Sequence, residues 1–139
     1  MAETRSGLAS VRQQPVTVRG ALAVVASVLV NAALVWVLGA AGVAPGFRAL
    51  TYPPVVFLSA LGAIGATVFY VLLARYVDDA GRTFVRVAAA VLVLSFLPDL
   101  GLLAADPAAT VPGVLALMLM HVVVAAASVV ALVAGGTPR

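Results

Sequence analysis

The sequence contains neither cysteine nor lysine, and only 9% of its 139 residues are charged. Without cysteine there are no disulfide bonds, thiolate metal sites or cysteine nucleophiles, and without lysine there is no Schiff-base or Ser–Lys chemistry. Phosphate-binding loops, dinucleotide fingerprints, metalloprotease motifs and nucleophilic serine elbows are also missing from the sequence. We therefore expect a protein that is not an enzyme and that holds no cofactor and no metal ion.

Apolar residues, by contrast, make up 64% of the chain, and the mean hydropathy is +1.20. A typical soluble domain is about 45–50% apolar and about 25% charged, so this composition excludes a water-soluble globule. A helix needs about 20 apolar residues to cross the hydrocarbon core of a bilayer, and four stretches of the chain reach that length. They cover approximately residues 20–42, 54–76, 84–105 and 111–134.

The four stretches favour helices over strands. A transmembrane β-barrel requires alternating apolar and polar residues, whereas residues 122–127 and similar runs are apolar on every side. The sequence therefore predicts an all-α, integral membrane, four-helix transmembrane bundle. Its single domain covers residues 20–134, between an N-terminal tail, residues 1–19, and a C-terminal tail, residues 135–139.

Arginine is distributed unequally between the two sides of the predicted bundle. Only Arg48 lies on the side of the first and third connections, and basic residues tend to stay in the cytoplasm. The sequence thus predicts that both termini are cytoplasmic and that Arg75, Arg82 and Arg86 form a cytoplasmic anchor at anionic lipid headgroups. The arginines on this side are Arg5, Arg12, Arg19, Arg75, Arg82, Arg86 and Arg139.

Polar residues inside the predicted spans are candidates for function. At 1.5 Å per residue, Asn31, Ser95 and His121 all lie at roughly the same depth, near the midplane of the bilayer. Because an unpaired polar group costs several kcal/mol there, we predict an interior layer in which these three side chains exchange hydrogen bonds, directly or through water.

Asp99 and His121 are the candidates for an ion or proton site. Intramembrane carboxylates are functional candidates by default, although Asp99 is close enough to the predicted outer surface to be an interfacial residue that reaches water. His121 is the single histidine, and histidine is the side chain that most often serves as a proton carrier. A structural, hydrogen-bonded role and a role as metal ligand both remain open for it.

Small residues on the second span indicate a helix-packing face. Ser59, Gly62, Ala63 and Ala66 recur at three- and four-residue steps, and small residues let helices approach closely in lipid. The sequence predicts a close helix contact on this face; a substrate groove lined by the same glycines is the alternative.

Several short motifs follow one another in a characteristic order along the four spans. They are Asn31, Tyr52-Pro53-Pro54, Arg75, Arg82-Thr83-Phe84, Leu94-Ser95-Phe96-Leu97-Pro98-Asp99 and Met120-His121. This order resembles the small four-span membrane proteins of domain-of-unknown-function family 6069, found in actinobacteria and haloarchaea, over about residues 15–135. The resemblance implies a four-helix membrane fold with the same polar positions and no assigned activity. From the apolar spans and the arginine distribution we also expect a location in the plasma membrane of a prokaryote.

Two classes of function fit the sequence. The first is a non-enzymatic membrane protein that acts by helix-mediated association, as a homo-oligomer or as an accessory subunit of a membrane complex. The alternative is a small proton-coupled transporter that uses Asp99 or His121 as its titrating group. Small multidrug exporters have the same size but depend on a glutamate in the first span, where this chain has the uncharged Asn31. The predicted partners are the lipid bilayer and another membrane protein or a second copy, without nucleic acid.

Overall fold

The computed structural model describes residues 13–134 together with Gly7 and Ser10. The predicted C-terminal tail, residues 135–139, and most of residues 1–12 lie outside these described residues. Between residues 13 and 134 four helices follow one another, and all four are long and apolar enough to cross a membrane, which confirms the predicted all-α architecture. The helices are α1 (Val16–Ala40), α2 (Tyr52–Tyr76), α3 (Ala80–Ala105) and α4 (Val111–Leu132), with a 3₁₀ turn (Arg48–Leu50) before α2.

Two helices begin earlier than the hydropathy of the sequence predicts, and each has a local reason. The first helix starts at Val16, directly after Pro15, and not near residue 20. The third starts at Ala80 and not near residue 84, because the Asp79 side chain caps it by accepting a hydrogen bond from the Arg82 backbone N–H at 3.1 Å. Such caps satisfy backbone donors that have no partner inside the helix. Both helices thus begin with a turn that contains an arginine, Arg19 in α1 and Arg82 in α3, before the apolar stretch.

The connection between α1 and α2 begins with a helix stop. Gly42 has a positive φ of 69°, a conformation that costs glycine little. The Val43 backbone N–H then donates to the Leu38 carbonyl at 2.9 Å, which is the pattern of a Schellman motif. This turn redirects the chain toward the 3₁₀ turn, and we call this side of the bundle the loop end. The other side, where α1 and α3 begin and α2 and α4 end, is called the Arg-rich end.

Helices α1 and α2 are antiparallel and pack through stripes of mostly small residues. Buried positions recur every fourth residue along α1, and Gly20 lies directly against Thr67 of α2, with no room for a side chain at position 20. Small residues allow this approach, which provides van der Waals contact that lipid cannot replace. The buried stripe of α1 is Arg19, Ala23, Ser27, Asn31 and Val35, and the buried residues of α2 are Val55, Ser59, Ala63 and Tyr70.

Arg19 is part of this packed structure, although the sequence assigned it to the cytoplasmic tail. It lies in the first turns of α1, it is buried, and its guanidinium donates a hydrogen bond to the Leu132 carbonyl at the end of α4. It also lies 5.8 Å from the centre of the Tyr70 ring. The last carbonyls of a helix lack partners and carry a partial negative charge. Arg19 therefore closes the end of α4 and ties it to α1.

Helix α3 packs less closely than the other three. Its buried residues are Ala80, Gly81, Phe84 and Asp99, so no residue between Phe84 and Asp99 is buried. At the Arg-rich end Phe84 packs edge-on against Tyr70, with 5.4 Å between ring centres. Near the loop end Asp99 contacts α4. Between these two attachments α3 leaves room for a cleft.

Candidate functional site

A cleft of about 600 Å³ lies between α2, α3 and α4. Ligand sites for small molecules range from about 300 to 1,000 Å³ and are mostly apolar, so the volume is of the right order. The wall includes Leu58, Leu61 and Phe69 of α2 and Val91 of α3, all of which are exposed at the surface of the bundle. The cleft therefore opens sideways between α2 and α3, toward the region that lipid occupies around a membrane protein.

Asn31 connects three helices at the back of this cleft. Its side chain is 1% exposed, and its Nδ2 donates to Ser59 Oγ of α2 at 2.8 Å and to the Met120 carbonyl of α4 at 3.2 Å. Its Oδ1 is buried without a hydrogen-bond partner. Among the residues lining the cleft, the polar ones are Asn31, Ser59, Ser95, His121 and Ser128.

The three residues of the predicted polar layer all line the cleft, but the structure pairs them differently from the direct exchange that we predicted. Asn31 bonds to α2 and α4, Ser95 Oγ donates to the Leu92 carbonyl of its own helix at 2.6 Å, and His121 Nδ1 lies 2.9 Å from the Leu117 carbonyl of its own helix. Short polar side chains in helices often bond to a carbonyl one turn earlier, and that local partner competes with the neighbouring helix. Exchange through water stays a prediction.

The structure brings the two candidate titratable residues together. His121 Nδ1 lies 3.1 Å from Asp99 Oδ2, and Asp99 is only 6% exposed, so it is not the water-reaching residue that we considered from sequence. The contact has the distance of an ion pair, but Asp99 Oδ2 receives no aligned hydrogen bond. A carboxyl group and an imidazole in contact can share or exchange a proton. From the sequence, the depth of each residue is estimated by counting from the end of its own helix. Such a count does not show which residues of two different helices face each other, so it did not reveal this pair.

The predicted packing face of α2 divides into two neighbouring stripes. Ser59 and Ala63 are buried, and Ser59 bonds to Asn31 of α1, whereas Gly62 and Ala66 line the cleft. Ser59 lies at the border between the two stripes and lines the cleft as well. A Cβ at Gly62 would lie 3.2 Å from Val124, and Gly65, one turn further, faces open space. An α-helix has 3.6 residues per turn, so a residue three positions further lies slightly to one side of the first residue and a residue four positions further lies slightly to the other side. Part of the predicted face thus lies in a helix contact and part in the wall of the cleft, and the binding of a substrate in this groove stays a prediction.

The predicted anchor residues Arg75, Arg82 and Arg86 are exposed at the Arg-rich end. Arg82 Nε lies 3.3 Å from Asp79 Oδ2, and both side chains face solvent. Exposed pairs of this kind contribute at most about 1 kcal/mol. Contact of these arginines with lipid headgroups stays a prediction.

Comparison with known protein families gives a match over nearly the whole chain. A family model described as "Family of unknown function (DUF6069)" matches residues 11–138. No curated protein and no solved structure matches the chain.

We predict that replacing Asn31 with leucine lowers the thermal unfolding midpoint of the protein in detergent. The change removes two hydrogen bonds that join α1 to α2 and α4. Interhelical hydrogen bonds in membrane proteins are worth about 0.6 kcal/mol on average and up to about 1.7, so the expected loss is about 1–3 kcal/mol. Differential scanning fluorimetry of the purified variant measures it.

The matched control is Ser95→Ala, because Ser95 bonds only to its own helix among the described hydrogen bonds. Its unfolding midpoint is expected to stay close to that of the wild type. An Asn31→Leu midpoint equal to or above the wild-type value contradicts a stabilising role for Asn31.

Proposed function

Because the chain belongs to the DUF6069 family, as its motifs predicted, and because that family has no known function, we propose a function from the cleft itself. The protein is a small, non-enzymatic, proton-coupled carrier that binds a hydrophobic molecule taken from the bilayer. The observation that supports this proposal is a laterally open cleft of about 600 Å³ with His121 in its wall and Asp99 in contact with His121.

The shape of the cleft favours a ligand that arrives through the lipid. Its opening lies between two helices and is flanked by Leu58, Leu61 and Val91. A hydrophobic molecule dissolved in the bilayer reaches this opening without first entering water. The polar residues at the back of the cleft give such a molecule a defined position, which is how mostly apolar sites achieve orientation.

The position of Asp99 and His121 favours proton coupling. The other charged residues of the four helices, Arg19, Arg75, Arg82 and Arg86, all lie toward the Arg-rich end. His121 therefore faces Asp99 from α3, while α1 and α2 present the uncharged Asn31 and Ser59. Ionisable residues inside membrane spans commonly mark ion pathways and proton relays. Proton binding at this pair changes the charge beside the cleft, so it can change the affinity for a ligand.

Uptake of ethidium, a hydrophobic fluorescent cation, by reconstituted vesicles tests this proposal. We expect wild-type vesicles with an acidic interior to take up ethidium faster than empty vesicles do. Asp99→Asn and His121→Phe are expected to reduce the gradient-driven rate at least tenfold, because each removes one member of the proton-binding pair.

Asp106→Asn is the control, since the Asp106 side chain accepts a hydrogen bond from the Ala108 backbone N–H in the connection after α3 and does not line the cleft. Its uptake rate is expected to match the wild type. Wild-type uptake no faster than that of empty vesicles contradicts the carrier function, as does unchanged uptake in both pair variants.

Association with another membrane protein or a second copy is the second candidate function, and the exposed surface of α3 favours it. The face opposite the cleft carries Val93, Leu97 and Leu100, all exposed. Because α3 packs on its own bundle through the opposite face, this exposed surface is free to pack against another helix. Association on this face is compatible with the carrier function, because it leaves the cleft free.

Cysteine cross-linking in membranes tests association, since the native chain contains no cysteine. If two copies pack through this face of α3, their residues at position 93 lie close together. A disulfide bond requires Cα atoms about 4.4–6.8 Å apart, so we expect Val93→Cys to form disulfide-linked dimers. Leu29→Cys on α1 is the matched control, as Leu29 and Val93 are both 64% exposed. Equal cross-linking of the two variants indicates random collision, and no dimer of Val93→Cys contradicts self-association through this face.

We also propose that the protein lies in the plasma membrane with both termini in the cytoplasm. Arg75, Arg82 and Arg86 at the Arg-rich end support this orientation, because basic residues next to membrane spans tend to remain on the cytoplasmic side. At the loop end the described residues contain a single arginine, Arg48.

Protease protection of an epitope tag checks this orientation. A tag fused after Arg139 is expected to resist protease added outside intact cells and to be digested after lysis. A tag inserted at Pro45, in the connection between α1 and α2, is expected to be digested in intact cells. The opposite pattern shows that the termini face outward.

A further inference from the structure

Asn31 lines the cleft and has a buried hydrogen-bond acceptor that is not used by the protein. Both hydrogens of its amide nitrogen are used, by Ser59 Oγ and by the Met120 carbonyl, while Oδ1 is buried without a partner. If the amide oxygen and nitrogen of Asn31 were exchanged, the oxygen would face the Met120 carbonyl, and two acceptors cannot form a hydrogen bond. The hydrogen-bond network therefore determines which way the Asn31 amide is oriented. A buried acceptor without a donor costs about 1–3 kcal/mol. A ligand that displaces the packing over Oδ1 and supplies a donor recovers this cost.

His121 presents a second acceptor. Its Nδ1 lies 2.9 Å from the Leu117 carbonyl and 3.1 Å from Asp99 Oδ2. Since two oxygens surround Nδ1, this nitrogen carries the hydrogen, and in the neutral ring Nε2 is then an acceptor. The side chain is 38% exposed and lines the cleft. The edge of the ring that contains Nε2 is thus the part left for a ligand.

Ser128 adds an adaptable group. Its Oγ is also buried without a partner and lines the cleft, but a hydroxyl can donate as well as accept. No lysine or arginine lines the cleft within residues 13–134. Two other groups of the cleft residues lack a partner and can only accept a hydrogen bond. They are Asn31 Oδ1 and, in the neutral ring, His121 Nε2.

We propose that the cleft selects hydrophobic molecules that carry an O–H or N–H donor, which bonds to Asn31 Oδ1 or His121 Nε2. This inference rests on the proposed function, since it requires the cleft to bind a ligand. It adds the chemical class of that ligand: a hydrophobic alcohol, phenol or amine is preferred to an ether or hydrocarbon of the same shape. Selectivity arises because a molecule without a donor leaves buried acceptors unpaired.

Two fluorescent probes of nearly equal shape test the inference. 1-Hydroxypyrene carries the donor, and 1-methoxypyrene replaces it with a methyl ether. We measure the binding of each probe to the protein in lipid nanodiscs and subtract its partition into empty nanodiscs. The hydroxyl probe is expected to bind about tenfold more tightly than the ether, a ratio that corresponds to about 1.4 kcal/mol.

Variants of the acceptors show whether the preference arises in the cleft. Asn31→Leu and His121→Phe are each expected to bring the affinity ratio of the two probes toward one. The ratio is read from both probes on the same preparation, so a general loss of folded protein affects both probes and leaves the ratio interpretable. An unchanged tenfold ratio in both variants contradicts the assignment of the acceptors.

Filling the cleft provides the remaining control. Gly65→Leu places a side chain into the open space of the cleft and is expected to weaken both probes, whereas Gly39→Leu adds the same side chain at an exposed position of α1 that does not line the cleft. Equal binding of the two probes to the wild type overturns the donor preference while the proposed function stands. Binding of neither probe above empty nanodiscs overturns the proposed function as well.

Discussion

The close approach of α1 to α2 is the contact on which the rest of the bundle depends. In hydrocarbon there is no hydrophobic force between apolar helices, so association depends on close packing and on a few hydrogen bonds. Gly20 against Thr67 provides the first, and Asn31 with Ser59 and the Met120 carbonyl provides the second. Because the Asn31 side chain of α1 bonds to both α2 and α4, this one side chain joins three helices.

The cleft follows from how α3 is attached to this three-helix unit. Phe84 packs against Tyr70 at the Arg-rich end, and Asp99 meets His121 near the loop end. Between them α3 has no buried residue, and α2 faces it with Gly62 and Gly65. A protein interior without a ligand is normally close-packed, so an opening of this size, with unpaired acceptors in its wall, is what directs the functional proposals to this place.

Much of the candidate site could be predicted from the sequence, and the missing parts share one physical cause. Depth along a helix is a one-dimensional quantity, so counting residues placed Asn31, Ser95 and His121 at a similar depth, and all three line the cleft. Counting could not assign partners, because partners depend on helix rotation and on the relative shift of neighbouring helices. For this reason the pairing of Asn31 with Ser59, the contact of Asp99 with His121 and the burial of Arg19 were not predicted.

The sequence by itself determined the number of helices, their approximate limits and their fit to a membrane, because these depend on the length and polarity of local segments. Its ordered motifs also indicated the correct family. Only the tertiary structure decided which residues of this face of α2 contact α1, which line the cleft and which, like Ser59, do both, since residues three and four apart lie at different angles around a helix. It also decided that a carboxylate and an imidazole 22 positions apart in the chain, Asp99 and His121, touch each other.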